Sequence, residues 1–240
     1  MPDAKRFGFP VPNWTPPTGA PYAELRGTYV QLEPLNADRH AAELFRANSV
    51  EDAIWDYLPY GPFHSASTYH RWVRSMTDGS RDPLFFAFRD LASGKATGVG
   101  SYLRISPETG SIEVGHLNFS TALQGTRAAT EAMYLMMKAV FDAGFRRYEW
   151  KCDALNMGSR RAAQRLGFSY EGVFRQHLIY KGRNRDTAWF AITDAEWPSL
   201  DVAFQTWLSP GNFDARGQQN ERLSDMTTLV RVASDPLLTL

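Results

Sequence analysis

The sequence predicts an α/β domain on a mixed sheet, and three observations point there. Strand-like stretches at 84–89, 97–105 and 111–119 are separated by the Ser93-Gly94 turn and a turn at 107–110, the pattern of an antiparallel meander. From Glu113 to Phe168 the chain then reads strand, tight glycine-containing turn, helix, strand, and a second helix opened by an asparagine. Two helices precede the meander instead of alternating with its strands, so the chain does not follow the repeating βαβ of a dinucleotide-binding sheet.

Each element has a local reason. Residues 29–33 form a first strand ended by Pro34. Asn36 or Asp38 caps a helix reaching about residue 48, and Ser65 or Ser67 caps another over about 68–77. Between these helices, 55–63 is an aromatic, turn-rich loop. The turn at 123–131 opens an apolar-periodic helix over 132–141, followed by a strand at 148–152 and a helix at 158–166. Gly167 stands where a helix C-cap belongs. Strands at 170–179 and 187–192 flank a basic turn, and Asp194 is the expected cap of a last helix to about 207. Residues 209–225 read as a loop, and 226–232 as a short terminal strand or a docking segment. The expected organisation is a proline-rich arm at 1–26, one domain at 27–208 and a tail at 209–240.

Composition narrows the function. The 240 residues are 43% hydrophobic, enough for a real core. Lys plus Arg (26) equal Asp plus Glu (26), so the chain lacks the basic excess of a nucleic-acid binder. A single cysteine, Cys152, excludes an intramolecular disulfide and a four-cysteine metal site. The five histidines are scattered without ligand spacing, so no metal is expected. With neither a signal-like nor a membrane-length apolar run, the expectation is a soluble cytoplasmic protein, with a homodimer possible.

The turn Gln124-Gly125-Thr126-Arg127-Ala128-Ala129-Thr130 carries the chemistry. A helix N-terminus presents unpaired N–H groups and a positive dipole end, which suit a phosphate, and small residues let a pyrophosphate approach. Neither G-x-G-x-x-G nor G-x-x-x-x-G-K-[ST] occurs, so a nucleotide-binding loop of those kinds is not expected.

These residues resemble the GCN5-related N-acetyltransferase (GNAT) superfamily, specifically its RimJ/RimL-like branch, over about residues 25–208. Gln124 to Ala129 match its Q/R-x-x-G-x-G/A loop, with Arg127 in place of the middle glycine. Asn156 to Phe168 match N-x-x-S-x-x-x-x-x-x-x-G-F, and Ile112-Glu113-Val114-Gly115 is similar to the branch's strand with an acid before the loop. The resemblance implies a mostly antiparallel sheet with a splayed central strand pair and flanking helices. It also implies acetyl transfer from acetyl-CoA to an amine, the pantetheine arm lying in the splay.

Such transfer needs a neutral amine, a stabilised oxyanion and a protonated leaving thiolate. Glu113 is the candidate base and Ser159 the candidate acid near the CoA sulfur. Leu117, Asn118 and Phe119, the loop Gln124, Gly125, Thr126, Arg127, Ala128, Ala129 and Thr130, and Asn156, Ser159 and Arg160 are the expected acyl-CoA residues. Arg127 can pair with a CoA phosphate; Arg160 and Arg161 can do so too, or be solvated surface charges. Glu131 complements the helix dipole. His116, three positions beyond Glu113, points to the opposite face unless a bulge intervenes. It is a second base candidate; Cys152 reads as structural. Trp55, Tyr60, Trp72, Arg104, His116 and His177 are expected around the amine, a small molecule or peptide α-amine. The alternatives are a protein N-terminal acetyltransferase and a non-catalytic acyl-CoA-binding module.

Overall fold

The computed structural model describes residues 7–238, so residues 1–6 of the expected arm and 239–240 of the tail lie outside the described residues. One eight-stranded sheet runs in the order β1-β2-β3-β4-β5-β6-β8-β7. Its strands are β1 (Leu25–Arg26), β2 (Val30–Pro34), β3 (Leu84–Asp90), β4 (Lys95–Ser106), β5 (Ser111–Phe119), β6 (Arg147–Asp153), β7 (Ser169–Tyr180) and β8 (Arg183–Thr193). Every pairing is antiparallel except β5 with β6. The sheet starts at Leu25, so the arm expected at 1–26 contributes its edge.

The alternation of β3 sorts two cores. Phe86 and Phe88 face a large core with helix α3 (Arg127–Asp142) and helix α5 (Trp197–Leu208). Phe85 and Ala87 face a smaller core with α1 (Ala37–Asn48) and α2 (Ala66–Thr77). Of the alternative caps, Asn36 accepts from the Arg39 amide at 3.0 Å and Ser65 from that of Thr68 at 3.3 Å. Helix α4 is Met157–Arg165, capped by Asn156, and Gly167 follows it at φ +94°.

Two expectations near the C-terminus are corrected. Asp194 does not cap α5; Glu196 precedes that helix, and its carboxylate instead accepts from the Thr193 amide and hydroxyl at 2.7 and 2.9 Å. Of the two readings of 226–232, a short strand or a docking segment, the strand is overturned: the stretch overlaps helix α6 (Leu223–Thr228), whose Leu223 is fully buried and whose Thr227 hydroxyl donates to the Arg165 carbonyl. Packing of a short apolar face against α4 and α5 overrides a weak strand preference there.

Glu131 does more than complement a helix dipole. Its buried carboxylate accepts from the amides of Thr28, Tyr29 and Val30 at 2.6–2.9 Å, tying α3 to the start of β2. A second buried carboxylate, Glu33, receives Arg89 Nε at 2.7 Å, His40 Nε2 at 2.9 Å and Arg39. Burial works against its charge, but the Arg89 and His40 bonds prevail and hold its pKa down at about 2. A depressed carboxylate contributes stability above its unfolded pKa near 4.5 that is lost as pH falls towards 2. Glu33→Gln is expected to lower urea-unfolding stability by on the order of 2 kcal/mol at pH 7. The variant should also lose part of the fall in stability between pH 4.5 and 2, as urea titrations across that range would show.

Candidate active site

The site begins where β5 and β6 part. Their pairing runs from Ser111 with Arg147 to Val114 with Trp150, and then β5 continues to Phe119 and β6 to Asp153 without partnering each other. Two cavities open along this divergence. One, of about 550 Å³, lies beside Arg104, Glu113, His116, Lys151, His177 and Arg185. The other, of about 780 Å³, follows the start of α3. Leu117, Trp150, Asn156 and Ser159 line both, so the cavities adjoin at the splay.

Backbone irregularities aim the polar groups. Between the Ser101–Gly115 and Val99–Asn118 pairs β5 carries an extra residue, and His116 has φ +51°. That bulge turns His116 into the cavity that Glu113 also lines, where a regular strand would separate them. A second irregularity leaves Arg104 at φ +47°, its amide and that of Ile105 each held by Asp82 at 3.0 Å.

Glu113 is almost wholly buried, with Arg104 Nη1 at 2.7 Å from Oε1 and Lys151 Nζ at 2.7 Å from Oε2. Burial raises its pKa, with the Lys151 and Arg104 bonds and charges opposing. Lys151 also meets Glu149 at 2.7 Å and lies 3.9 Å from the Trp189 ring centre. Arg104 is half-exposed and is the partner freer to move. His116 Nδ1 lies 3.0 Å from the Tyr60 hydroxyl. Burial, then the charges of Arg104 and Arg185, lower its pKa to about 4, so its ring is neutral at pH 7. Burial pushes the Cys152 thiol up to about 11, which suits a structural residue better than a thiolate nucleophile.

The groove carries backbone donors suited to a phosphate group. Gly125 supplies the positive φ of the turn, +72°, and Arg127 already begins α3, so no glycine is required at 127. Thr126 caps the helix, accepting from the Ala129 amide at 3.1 Å. The amides of Gly125, Arg127 and Ala128 have no acceptor among the described residues, a donor set suited to phosphate. The Asn156 side chain accepts from the Ser159 amide at 3.0 Å, and the Ser159 hydroxyl receives Trp150 Nε1 at 3.0 Å.

The expected residues divide clearly. Leu117, Phe119, Gln124, Gly125, Thr126, Arg127, Ala129, Thr130, Asn156 and Ser159 line the groove, while Ala128 and Asn118 are buried behind it. Arg160 does not reach it: its guanidinium is buried against Asp235, with two bonds of 2.6 Å, while Arg161 is exposed. Arg104, His116 and His177 line the other cavity, beside Glu113. Trp55 and Trp72 belong to the smaller aromatic core, and Tyr60 acts from behind through His116. Tyr57, Leu58 and Pro59 form that wall instead.

The tail supplies a wall that no sequence motif announced. Phe213, Gly217, Gln218 and Gln219 line the groove, and Trp207 Nε1 donates to Gln219 Oε1 at 2.8 Å. The Arg127 guanidinium lies 4.7 Å from the Tyr29 ring and 4.4 Å from that of Phe213, joining loop, sheet and tail. Among the described residues no helix is long and apolar enough to cross a membrane, and no His, Cys, Asp and Glu group could hold a metal.

This arrangement of splay, open helix N-terminus and adjoining polar cavity defines an acyltransferase-type site, and comparison with known proteins agrees. A family model described as an acetyltransferase (GNAT) domain matches residues 30–169, more than half of the chain, which belongs to that family. A GCN5-related N-acetyltransferase from Brucella melitensis is 47% identical, with a TM-score of 0.88 over 91% of this chain and 100% of its own. A probable acetyltransferase of the GNAT family from Chromobacterium violaceum ATCC 12472 is 40% identical, covering 82% of this chain and 100% of its own, with a TM-score of 0.75. Microcin C7 self immunity acetyltransferase MccE, solved with acetyl-CoA and AMP, shares the fold at 20% identity and a TM-score of 0.61, over 70% of this chain and 93% of its own. No curated protein matches the chain.

Asp235→Asn removes one charge of the buried Arg160 pair and is expected to cost about 3–5 kcal/mol. Because the pair fastens the tail to α4, calorimetry should also show weaker acetyl-CoA binding by the folded variant.

Proposed function

We propose that this chain transfers an acetyl group from acetyl-CoA to a primary amine by direct attack, as a member of the RimJ/RimL-like branch. The observation that carries the reading is a buried carboxylate, Glu113, opening on one cavity exactly where a second, phosphate-suited groove adjoins it through Leu117, Trp150, Asn156 and Ser159. Acetyl-CoA, when bound, supplies the acetyl group as an activated thioester. The amides at 125, 127 and 128 and the tail wall would hold its nucleotide end, and the splay between β5 and β6 its pantetheine arm.

Glu113 takes the proton of the amine, directly or through water. A raised pKa makes it a stronger base than an ordinary carboxylate, and half-exposed Arg104 can yield its place to the incoming ammonium. Lys151 stays, holding the carboxylate in position from its other oxygen. Neutral His116, fixed by Tyr60, orients the amine from the same wall. The Ser159 hydroxyl, held by Trp150, lies at the junction of the two cavities and serves the leaving thiolate. The amine is a small molecule or an α-amino group. A ribosomal-protein acceptor is less favoured, because the chain has no net basic charge with which to dock on a ribosome.

Glu113→Gln is expected to lower kcat by about 10²- to 10⁴-fold while leaving acetyl-CoA affinity unchanged in calorimetry. In the wild type the acidic limb of kcat/KM should lie above the usual carboxylate value, since Glu113 works only when deprotonated and its pKa is raised. His116, titrating at about 4, adds no limb near pH 6.5. Unchanged turnover in Glu113→Gln would remove Glu113 as the base; a limb at 6.5 that disappears in His116→Asn would transfer the role to His116.

A further inference from the structure

The acceptor-side cavity holds three cationic side chains, and two of them are matched. Arg104 meets Glu113, and Lys151 lies between Glu113 and Glu149. The third, Arg185 on β8, forms no ion pair among the described residues. Its Nε donates to Thr187 Oγ1 at 3.2 Å, which fixes the side chain and leaves both terminal nitrogens without an acceptor among the described residues.

The cavity's other carboxylate, Asp153, makes no ion pair with it. Asp153 Oδ1 accepts from the Leu155 amide at 2.8 Å, and Oδ2 accepts from the Tyr180 hydroxyl at 2.8 Å. Arg185 is half-buried, and its charge is felt across the cavity: it contributes to lowering the pKa values of both His116 and His177. With both histidines disfavoured as cations, Arg185 is the one of the cavity's three cations with no carboxylate bonded to it among the described residues, its guanidinium lying 5.7 Å from the Tyr180 ring centre. A partly desolvated guanidinium with a free fork is costly unless a planar or tetrahedral anion meets it.

We propose that Arg185 is an anion anchor, and that the amine acceptor carries a carboxylate or a phosphate held by its guanidinium fork while its amine faces Glu113. The assignment of an amine rests on the transferase reading; the anion preference rests on the cavity alone. Tyr57, Leu58, Leu178 and Ile179 give the same cavity an apolar side, which suits an acceptor with an apolar body. Polyamines fit poorly, because they carry no anion to meet the Arg185 fork.

The test is calorimetric binding to the full chain saturated with CoA, using leucine against leucinamide and O-phosphoethanolamine against ethanolamine. At least one anionic amine is expected to bind about tenfold more tightly than its partner, and the pair that discriminates identifies carboxylate or phosphate. Arg185→Gln should bring that pair within about twofold, while Arg185→Lys keeps part of the preference as a point charge. Absence of preference in both wild-type pairs, or an undiminished preference in Arg185→Gln, overturns the proposal. Thiol release from acetyl-CoA, measured with the same amines, reports separately on the transferase reading. Anion-selective binding without release would leave the anchor standing and contradict the chemistry.

Discussion

Everything functional in this protein depends on one failure of pairing. Parallel strands β5 and β6 share four register positions and then separate, leaving backbone and side chains that a continuous sheet would cover. Such a gap persists only if the flanking strands are held independently. Here β5 is paired along β4 and β6 along β8, so neither needs the other beyond Val114 and Trp150. Helix α3 bridges the two strands, and Glu131 within it is bonded to three amides at the start of β2. The opening is thus built into the pairing of the sheet, and the groove at the N-terminus of α3 meets the polar cavity inside it.

Within that frame the polar groups are arranged to keep a buried carboxylate available. Burial alone would favour its protonated form, and a single strong cation would make it a poor base. Glu113 sits between these limits, with buried Lys151 on one oxygen and half-exposed Arg104 on the other. Lys151 is in turn shared with Glu149, which Arg147 also contacts, so charges alternate across β4, β5 and β6. The line of ion pairs fixes the site's electrostatics without a metal ligand group among the described residues.

The fold was legible where local chemistry and global packing agreed. Asn36, Ser65 and Asn156 each cap a helix as their residue types suggest, whereas the turn expected over 123–131 ends sooner, Thr126 capping a helix that already begins at Arg127. Of the candidate site, the helix start with its free amides was the part open to reading, because it is a contiguous sequence feature. Long-range partners were not. Nothing near Arg160 in sequence announces Asp235, which lies 75 positions away and removes that arginine from the groove. The convergence of His116 with Glu113 depended on a bulge that alternation cannot reveal, and Trp55 and Trp72 joined a core because aromatic residues serve packing and binding alike. The tail's share of the groove was hidden for the same reason: 209–225 is polar and irregular, and only its docking through Trp207, Arg127 and α6 gives it a role.

The most direct test of the account is a crystal structure with acetyl-CoA. The account places the diphosphate against the amides at the start of α3, the pantetheine arm between β5 and β6, and the acetyl group at the junction lined by Leu117, Trp150 and Ser159, opening toward Glu113. Acetyl-CoA bound outside this groove, or with its thioester turned away from the cavity of Glu113, would contradict it.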